Sequence, residues 1–253
     1  MNVHEEYSLH TEINWSFLLI YKRNDYITKG FNMITVDDIK QLIIDCQLMG
    51  KWGLDNGISA EIPDLILDVL KPPCDFLGTS TNPAIFINQF TYRQLSNKHP
   101  NWVLNQTIAI KPTLLKQSDL DIIGTIIHEV GHAFNVAAGI PNTENNAYIF
   151  EIEVLLKLFN GENDLLSNCS AQNLKDYFQS RLPNYKRGIA SNDYLAKLVY
   201  SLNKQLNLDP TLSCPLFKIK ESSFMCSPLK FFNPLKPQTS YDTVTTNLPS
   251  QVY

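Results

Sequence analysis

The 253-residue chain lacks the features that mark several broad classes of protein. It has no basic block: 21 Lys and Arg against 25 Asp and Glu give a formal net charge of −4. This balance argues against binding to nucleic acid or to an anionic membrane. No run of apolar residues is long enough to span a bilayer. With 44% hydrophobic and 18% charged residues, the composition is that of a soluble globular protein with an ample core.

Cysteine is also sparse, and a leader segment is not evident. The five cysteines have neither the spacing of a metal site nor that of a disulfide framework, which favours reduced thiols in a cytosolic setting. They are Cys46, Cys74, Cys169, Cys214 and Cys226. The first seven residues are acidic where a signal peptide is basic, and the apolar run 17–21 is too short for its hydrophobic region and predicts a strand. We therefore expect a cytoplasmic-type chain without a signal peptide. Export by a secretion system that does not use a removable signal peptide, as for some bacterial toxins, is compatible with this expectation.

Histidine is scarce as well, yet two of the five histidines stand in the order H-E-x-x-H, as His128, Glu129 and His132. Positions i and i+4 of an α-helix lie on one face, one turn apart, so the two imidazoles can reach a single ion. Glu129 is displaced by about 100° around the helix, beside the metal. A carboxylate there can take a proton from an activated water and pass it to a leaving amine. The spacing is that of zinc peptidases.

The residues around the motif predict a buried helix. Ser118 is a typical N-cap with Asp121 at the acidic third position, and Gly139 followed by Pro141 supplies the stop. Buried histidines need partners, and two that lie one turn apart find one most simply in a metal. The apolar residues of this helix are Ile122, Ile123, Ile126, Ile127, Val130, Ala133, Phe134 and Ala137.

A catalytic zinc site needs a third protein ligand, with a fourth position left for water. No histidine follows the motif, and Ala138 stands where one group of proteases carries a third histidine. The ligand is therefore expected to be an acid on the next helix, which begins near residue 142. The cost of burying a charge favours Glu151, in the middle of the apolar face, over Glu144 in the first turn. Glu153 is expected to face solvent as an i,i+4 pair with Lys157.

From Ser118 to about Leu158, the chain resembles the gluzincin metallopeptidases, in which a helix after H-E-x-x-H donates a glutamate as third zinc ligand. Thermolysin-like and aminopeptidase-like members place that glutamate about twenty residues beyond the second histidine, in the range of Glu151. The acid that many members carry four residues later is Leu155 here. A second likeness, to compact gluzincins with a ligand helix reading E-x-x-A-x-x-F, matches residues 144–150 and implies Glu144 instead. Both assignments stay open at this point.

The rest of the chain predicts an α+β fold: a zincin-like domain over residues 1–212, with a small N-terminal sheet, the H-E-x-x-H helix and a helical C-terminal half. Residues 213–253, interrupted by prolines, are expected to form a partly irregular tail. Thr35 should cap a helix, residues 63–70 should form a short helix ended by Pro72 and Pro73, and residues 84–88 and 106–111 should be strands. In similar zincins, the strand before the motif helix edges the cleft and pairs with an extended substrate; an ordinary core strand is an equal alternative.

Two more helices complete the expected C-terminal half. Beyond the ligand helix, residues 174–178 continue helically until Pro183, and residues 191–193 cap a last helix. A developing oxyanion usually needs a second donor, and in the absence of a downstream histidine the candidates are tyrosine or arginine side chains. They are Tyr177, Tyr185, Arg187 and Tyr194.

The expected function is peptide-bond hydrolysis by a zinc metallopeptidase, more in keeping with an endopeptidase than an exopeptidase. One Zn²⁺ per chain is expected on His128, His132 and Glu151, with Glu129 as general base and then general acid. The partner is a protein or peptide substrate, for either a housekeeping peptidase or a toxin- or effector-like protease with one target. The alternatives are a non-catalytic zinc-binding regulatory or interaction module and a helical domain without metal. Glu129 argues against the module, because it makes no metal bond and only catalysis needs it.

Overall fold

A computed structural model describes residues 34–161 and 163–212 of the chain. Within these ranges the protein is a mixed α+β structure, mostly helical, with one three-stranded sheet. The strand expected at residues 17–21 and the tail expected at 213–253 lie outside the described residues. Among the residues described, no helix combines the length and apolarity required to cross a membrane.

The first described helix, α1 (Val36–Trp52), begins where its cap predicts. The Thr35 side chain accepts a hydrogen bond from the Asp38 backbone, and the Asp38 carboxylate accepts one from the Thr35 backbone. This reciprocal capping satisfies two backbone donors at the helix start. The buried face of α1, which includes Ile39, Leu42 and Cys46, packs in the main core.

The sheet consists of β1 (Ile66–Val69), β2 (Ala84–Phe86) and β3 (Thr107–Ile110), in the order β1-β3-β2. β3 is parallel to β1 and antiparallel to β2. The helix predicted over residues 63–70 is wrong: this apolar run pairs with β3 over four residues, and the pairing decides its conformation. The two strands predicted at 84–88 and 106–111 are present in shorter form.

The strand that precedes the motif helix is central and does not edge a cleft. All four residues of β3 are buried, and neighbours on both sides pair with it. The alternative of an ordinary core strand is therefore the one realised. A short α2 (Gln89–Leu95) follows β2, and a second, smaller apolar cluster that includes Leu77, Ile87 and Trp102 lies apart from the main core.

The motif lies on α3 (Asp119–Ala137). The predicted cap is confirmed: the Ser118 hydroxyl accepts from the Asp121 backbone, and it donates to the Asp121 carboxylate. Thirteen residues of this helix are buried, among them His128 and Glu129. The chain leaves the helix through Gly139, whose φ of +66° favours glycine.

The next helix, α4 (Glu144–Asn160), packs directly against α3 and is capped by Thr143. Gly131, inside the motif, makes this close approach possible. A Cβ at this position would lie 3.1 Å from the Ala147 carbonyl oxygen and 3.1 Å from Cβ of Phe150, both on α4. The missing side chain therefore lets the first turns of α4 lie beside the two histidines.

Two further helices cover α4: α5 (Ala171–Gly188) and α6 (Asp193–Leu206). The predicted end of α5 at Pro183 is wrong, because the helix continues to Gly188. Pro183 has no backbone N–H to donate to the Gln179 carbonyl, so one helical hydrogen bond is missing. Gln179 is exposed, so water can satisfy that carbonyl, while fully buried Tyr185 in the following turn packs in the core. The cap of α6 is confirmed, with the Asn192 side chain accepting from the Leu195 backbone.

Candidate metal site

The two motif histidines lie on one face of α3, as the spacing predicts. Their ring centroids are 5.0 Å apart and the rings are perpendicular. His128 is buried, with 8% of its surface exposed, and His132 is partly buried. Helical geometry alone accounts for this arrangement.

Glu144, in the first turn of α4, completes a group of three possible metal ligands. Its carboxylate oxygens lie 3.1 Å from Nε2 of His128 and 3.5 Å from Nε2 of His132, and the three ligand atoms all lie within 4.8 Å of one another. Ligand atoms around a tetrahedral ion with bonds of about 2.0–2.1 Å are roughly 3.3–3.4 Å apart. The two separations between nitrogen and oxygen lie on either side of this value, and the group could hold a metal ion.

The other ring nitrogen of each histidine is held by a protein acceptor. Nδ1 of His128 lies 2.9 Å from Oε2 of Glu151, and Nδ1 of His132 lies 2.7 Å from Oδ1 of Asn142. Because a carboxylate and an amide oxygen only accept, both Nδ1 atoms carry the proton in these bonds. This leaves each Nε2 lone pair for a metal, in the arrangement that orients most metal-bound histidines.

The structure does not bring Glu151, the ligand favoured by the sequence, into this group. Glu151 is fully buried and lies at the Nδ1 edge of the His128 ring, while Glu144 lies at the Nε2 edge. Its carboxylate accepts five hydrogen bonds. One comes from Nδ1 of His128, two come from the hydroxyls of Tyr177 and Tyr185, and two come from Nε and Nη2 of Arg181. Glu151 needs partners because it is a buried charge, as predicted, and these side chains supply them.

The neighbouring carboxylates and imidazoles shift one another's pKa values. Burial disfavours the charged imidazole of His128, but hydrogen bonds to Glu144 and Glu151 outweigh it and raise the pKa of His128 to about 9. Burial likewise opposes the protonation of His132, and the hydrogen bond to Glu144 raises its pKa overall. The hydrogen bonds from both histidines lower the pKa of Glu144. The metal-free site therefore holds protons that a metal ion must displace.

Glu129 lies beside the group and not in it, as the motif predicts. Its side chain is nearly buried, and Oε2 accepts a hydrogen bond of 2.6 Å from the Phe86 backbone N–H on the edge strand β2. Oε1 has no hydrogen-bond partner among the described residues. The carboxylate is thus fixed at one oxygen and available at the other.

A cavity of about 510 Å³ opens over these residues. The three possible ligands and Glu129 line one part, and β2 with α2 lines another, where Phe90 is largely exposed. Three polar side chains in its wall were not predicted from the sequence as site residues: Asn142, Tyr148 and Arg181. A pattern was available for Arg181, because it shares a helix face with buried residues of α5, and a charge on such a face needs a partner.

The side chains proposed as oxyanion donors from the sequence lie elsewhere. The hydroxyls of Tyr177 and Tyr185 donate to Glu151, and the Tyr194 hydroxyl donates to Glu153 at 2.6 Å. None of these tyrosines lines the cavity, and neither does Arg187. Tyr148 does line it, and its hydroxyl has no hydrogen-bond partner among residues 34–161 and 163–212.

Glu153 forms the expected i,i+4 pair with Lys157, but it is buried, so the expectation that it faces solvent is wrong. Only 3% of Glu153 is exposed, and it accepts hydrogen bonds from the Asp55 backbone and from the Tyr194 hydroxyl. The Lys157 ammonium is 3.8 Å from Glu153 and 3.0 Å from the Asp55 carboxylate. This polar cluster joins α4 to the loop after α1, outside the cavity.

Comparison of the chain with protein-family models, with curated proteins and with solved structures gave no match. The case for a function therefore depends on the geometry of the site.

Proposed function

We propose that this protein is a zinc-dependent peptidase in which His128, His132 and Glu144 hold the ion. The observation that supports the proposal is the convergence of His128, His132 and Glu144, whose ligand atoms lie within 4.8 Å of one another, with the separate carboxylate of Glu129 beside them in one cavity. Two imidazoles and one carboxylate, with room for a further ligand, are the donor set of catalytic zinc. This assignment replaces Glu151 by Glu144, in agreement with the resemblance to compact gluzincins.

A zinc ion held by these three residues would lower the pKa of a coordinated water and polarise a carbonyl group. The chain's own residues account for the rest of the chemistry. Glu129 is anchored through Oε2 by the Phe86 backbone, so Oε1 is positioned to accept a proton from the attacking water. The same carboxyl group then donates this proton to the leaving amine, and the carboxylate is regenerated.

The surroundings of the site favour a peptide as substrate. Among the described residues, only one side of β2 pairs with another strand, and its three residues line the cavity. Phe86 already donates its N–H to Glu129 and accepts at its carbonyl from Asn88, so an extended peptide backbone would pair with the part of this edge before Phe86. The Tyr148 hydroxyl has no hydrogen-bond partner among the described residues, and its ring centroid is 5.0 Å from that of His128. It is the candidate donor to a carbonyl oxygen that develops charge.

Replacing Glu129 by Gln tests the proposal. The amide has the same volume and can still accept from the Phe86 backbone, so the fold and one bound zinc per chain should be retained. It cannot accept the proton, and hydrolysis should fall by about 10²–10⁴-fold or more. The measurement is mass spectrometry of new termini after incubation of zinc-loaded protein with a library of proteome-derived peptides. Exposed Glu61 provides the matched control, because Glu61→Gln changes the same group outside the cavity.

Peptidase activity close to wild type in Glu129→Gln would exclude this mechanism. The absence of hydrolysis in the zinc-loaded wild type would instead favour a non-catalytic zinc-binding module.

A further inference from the structure

Arg181 is the one cationic side chain, apart from the histidines, among the described residues of the cavity wall. About a quarter of it is exposed. Its guanidinium group is fixed on one edge: Nε and Nη2 donate to the two oxygens of Glu151, at 3.1 and 2.7 Å. The Tyr148 ring lies 5.8 Å from its central carbon. The side chain is therefore held from two directions before any ligand arrives.

This anchoring leaves a second edge of the guanidinium unused. A guanidinium group carries five N–H donors in one plane, and Glu151 takes one from Nε and one from Nη2. No other hydrogen bond of Arg181 is formed within the described part of the chain. The remaining donors, on Nη1 and the outer side of Nη2, form a fork that matches the two oxygens of a carboxylate.

The position of Arg181 relative to the possible metal ligands indicates which part of a substrate would contact these free N–H donors. Glu151, which bonds to Arg181, lies at the Nδ1 edge of His128, and Glu144 lies at the Nε2 edge, where a metal would be held. A group on Arg181 is thus displaced from the reacting carbonyl toward a neighbouring part of the substrate.

We propose that Arg181 forms a carboxylate-binding subsite, through which the enzyme selects peptides with an acidic side chain or a free C-terminus next to the cleaved bond. This inference rests on the proposed function. Glu151 is a positioning residue in this scheme: one buried carboxylate orients both His128 and Arg181, so the subsite and the metal site keep a fixed separation. An amide offers the fork one acceptor oxygen and an NH₂ group that faces an N–H donor, so it loses one of the two charge-assisted hydrogen bonds. A carboxylate should therefore be preferred over its amide by about tenfold.

The test uses peptide hydroxamates, whose hydroxamate group binds zinc, with the full-length zinc-loaded protein in calorimetric titrations. The compounds are made in pairs that differ only in Glu against Gln at one side chain, or in a free against an amidated C-terminus. In at least one pair the carboxylate form should bind about tenfold more tightly, and which pair does so identifies the source of the carboxylate. A difference below twofold in every pair overturns the proposal, without need of any variant.

Arg181→Lys links the preference to this residue. Lysine keeps a positive charge for Glu151 but has no second edge, so the preference should fall below twofold while the hydroxamates still bind. Arg93→Lys, on α2 and outside the cavity wall, makes the same change as a control and should keep the tenfold preference. A preference retained in Arg181→Lys overturns the assignment.

The two proposals fail in different ways. Peptides that are cleaved without regard to carboxylates would overturn the subsite and leave the peptidase. Hydroxamates that show the preference, with a chain that cleaves nothing, would overturn the peptidase and leave the subsite. If no hydroxamate binds, both are overturned.

Discussion

The distinct positions of Glu144 and Glu151 predict that their substitution separates metal binding from stability. Glu144 is mostly in solvent, with 64% of its side chain exposed, whereas Glu151 is fully buried and accepts five hydrogen bonds. Glu144→Ala should therefore remove a ligand at little cost to the fold. Glu151→Gln should damage the fold while the three ligands stay in place.

The magnitudes follow from the contacts of each carboxylate. In Glu151→Gln the amide oxygen can still accept from His128 and Arg181, and its NH₂ group can donate to the tyrosine hydroxyls, but Arg181 keeps its charge without a counter-charge. Breaking a buried pair in this way costs about 3–5 kcal/mol, or roughly 6–20 °C in Tm for a domain of this size. Altering a partner of a metal-bound histidine lowers zinc affinity by about 10–100-fold. Removing Glu144 leaves only two protein ligands, so the loss should exceed 100-fold.

Two assays separate these effects. Thermal unfolding followed by circular dichroism in the presence of EDTA reports the stability of the metal-free fold, and zinc titration against a competing chelator reports affinity. Glu144→Ala should match the wild type in the first assay and fail in the second. Glu151→Gln should unfold at a lower temperature yet bind one zinc at saturation. If Glu151→Gln loses zinc while Glu144→Ala keeps it, the ligand assignment is refuted and the sequence-based choice of Glu151 is restored.

Three further predictions concern protons and packing. The raised pKa of His128 keeps its imidazole protonated at pH 7, whereas zinc binds a neutral imidazole. Zinc binding should therefore release protons, and the affinity should increase as the pH rises toward about 9. Calorimetry in two buffers of different ionisation enthalpy measures the proton release, and equal heats in the two buffers would contradict it. Burial raises the pKa of Glu153 above 4.5, so its contribution to stability declines as the pH rises through that pKa. Glu153→Gln should therefore gain stability relative to wild type as the pH rises above 4.5 in urea unfolding, and a constant difference would refute this. A Cβ on Gly124 would lie 1.9 Å from the Tyr177 hydroxyl oxygen. Gly124→Ala should therefore lower the free energy of unfolding by about 1–3 kcal/mol in the same assay. Unchanged unfolding would show that Tyr177 can move.

Features set by neighbouring residues were predictable from the sequence. The caps at Thr35, Ser118 and Asn192 are local hydrogen bonds, and the motif histidines share a face because helical spacing requires it. Residues 66–69 were misassigned because an apolar run of that length fits either a helix or a strand, and only pairing with β3 decides.

The positions of the two glutamates relative to the histidines could not be predicted from the sequence for a related reason. Burial correctly marked Glu151 as a charge that needs partners, but a metal is only one way to supply them. The actual partners include Arg181, thirty residues further along the chain. The sequence does show a charged residue on the buried face of each helix, Glu151 on one and Arg181 on the other. It does not show that these two residues meet, because that depends on how the helices pack.

The close contact at Gly131 has a consequence for recognising proteins of this kind. Motif searches leave the two central positions of H-E-x-x-H unrestricted, yet here the second one is packed against α4 with no room for a side chain. Alanine would require α4 to shift by a few tenths of an ångström, and a larger residue would push the first turn of α4, with Glu144, away from the histidines. A distant homologue that uses the same ligand set on two helices this close should therefore have glycine, or at most alanine, at this position. The identity of that one residue can separate such chains from H-E-x-x-H proteins whose third ligand comes from elsewhere.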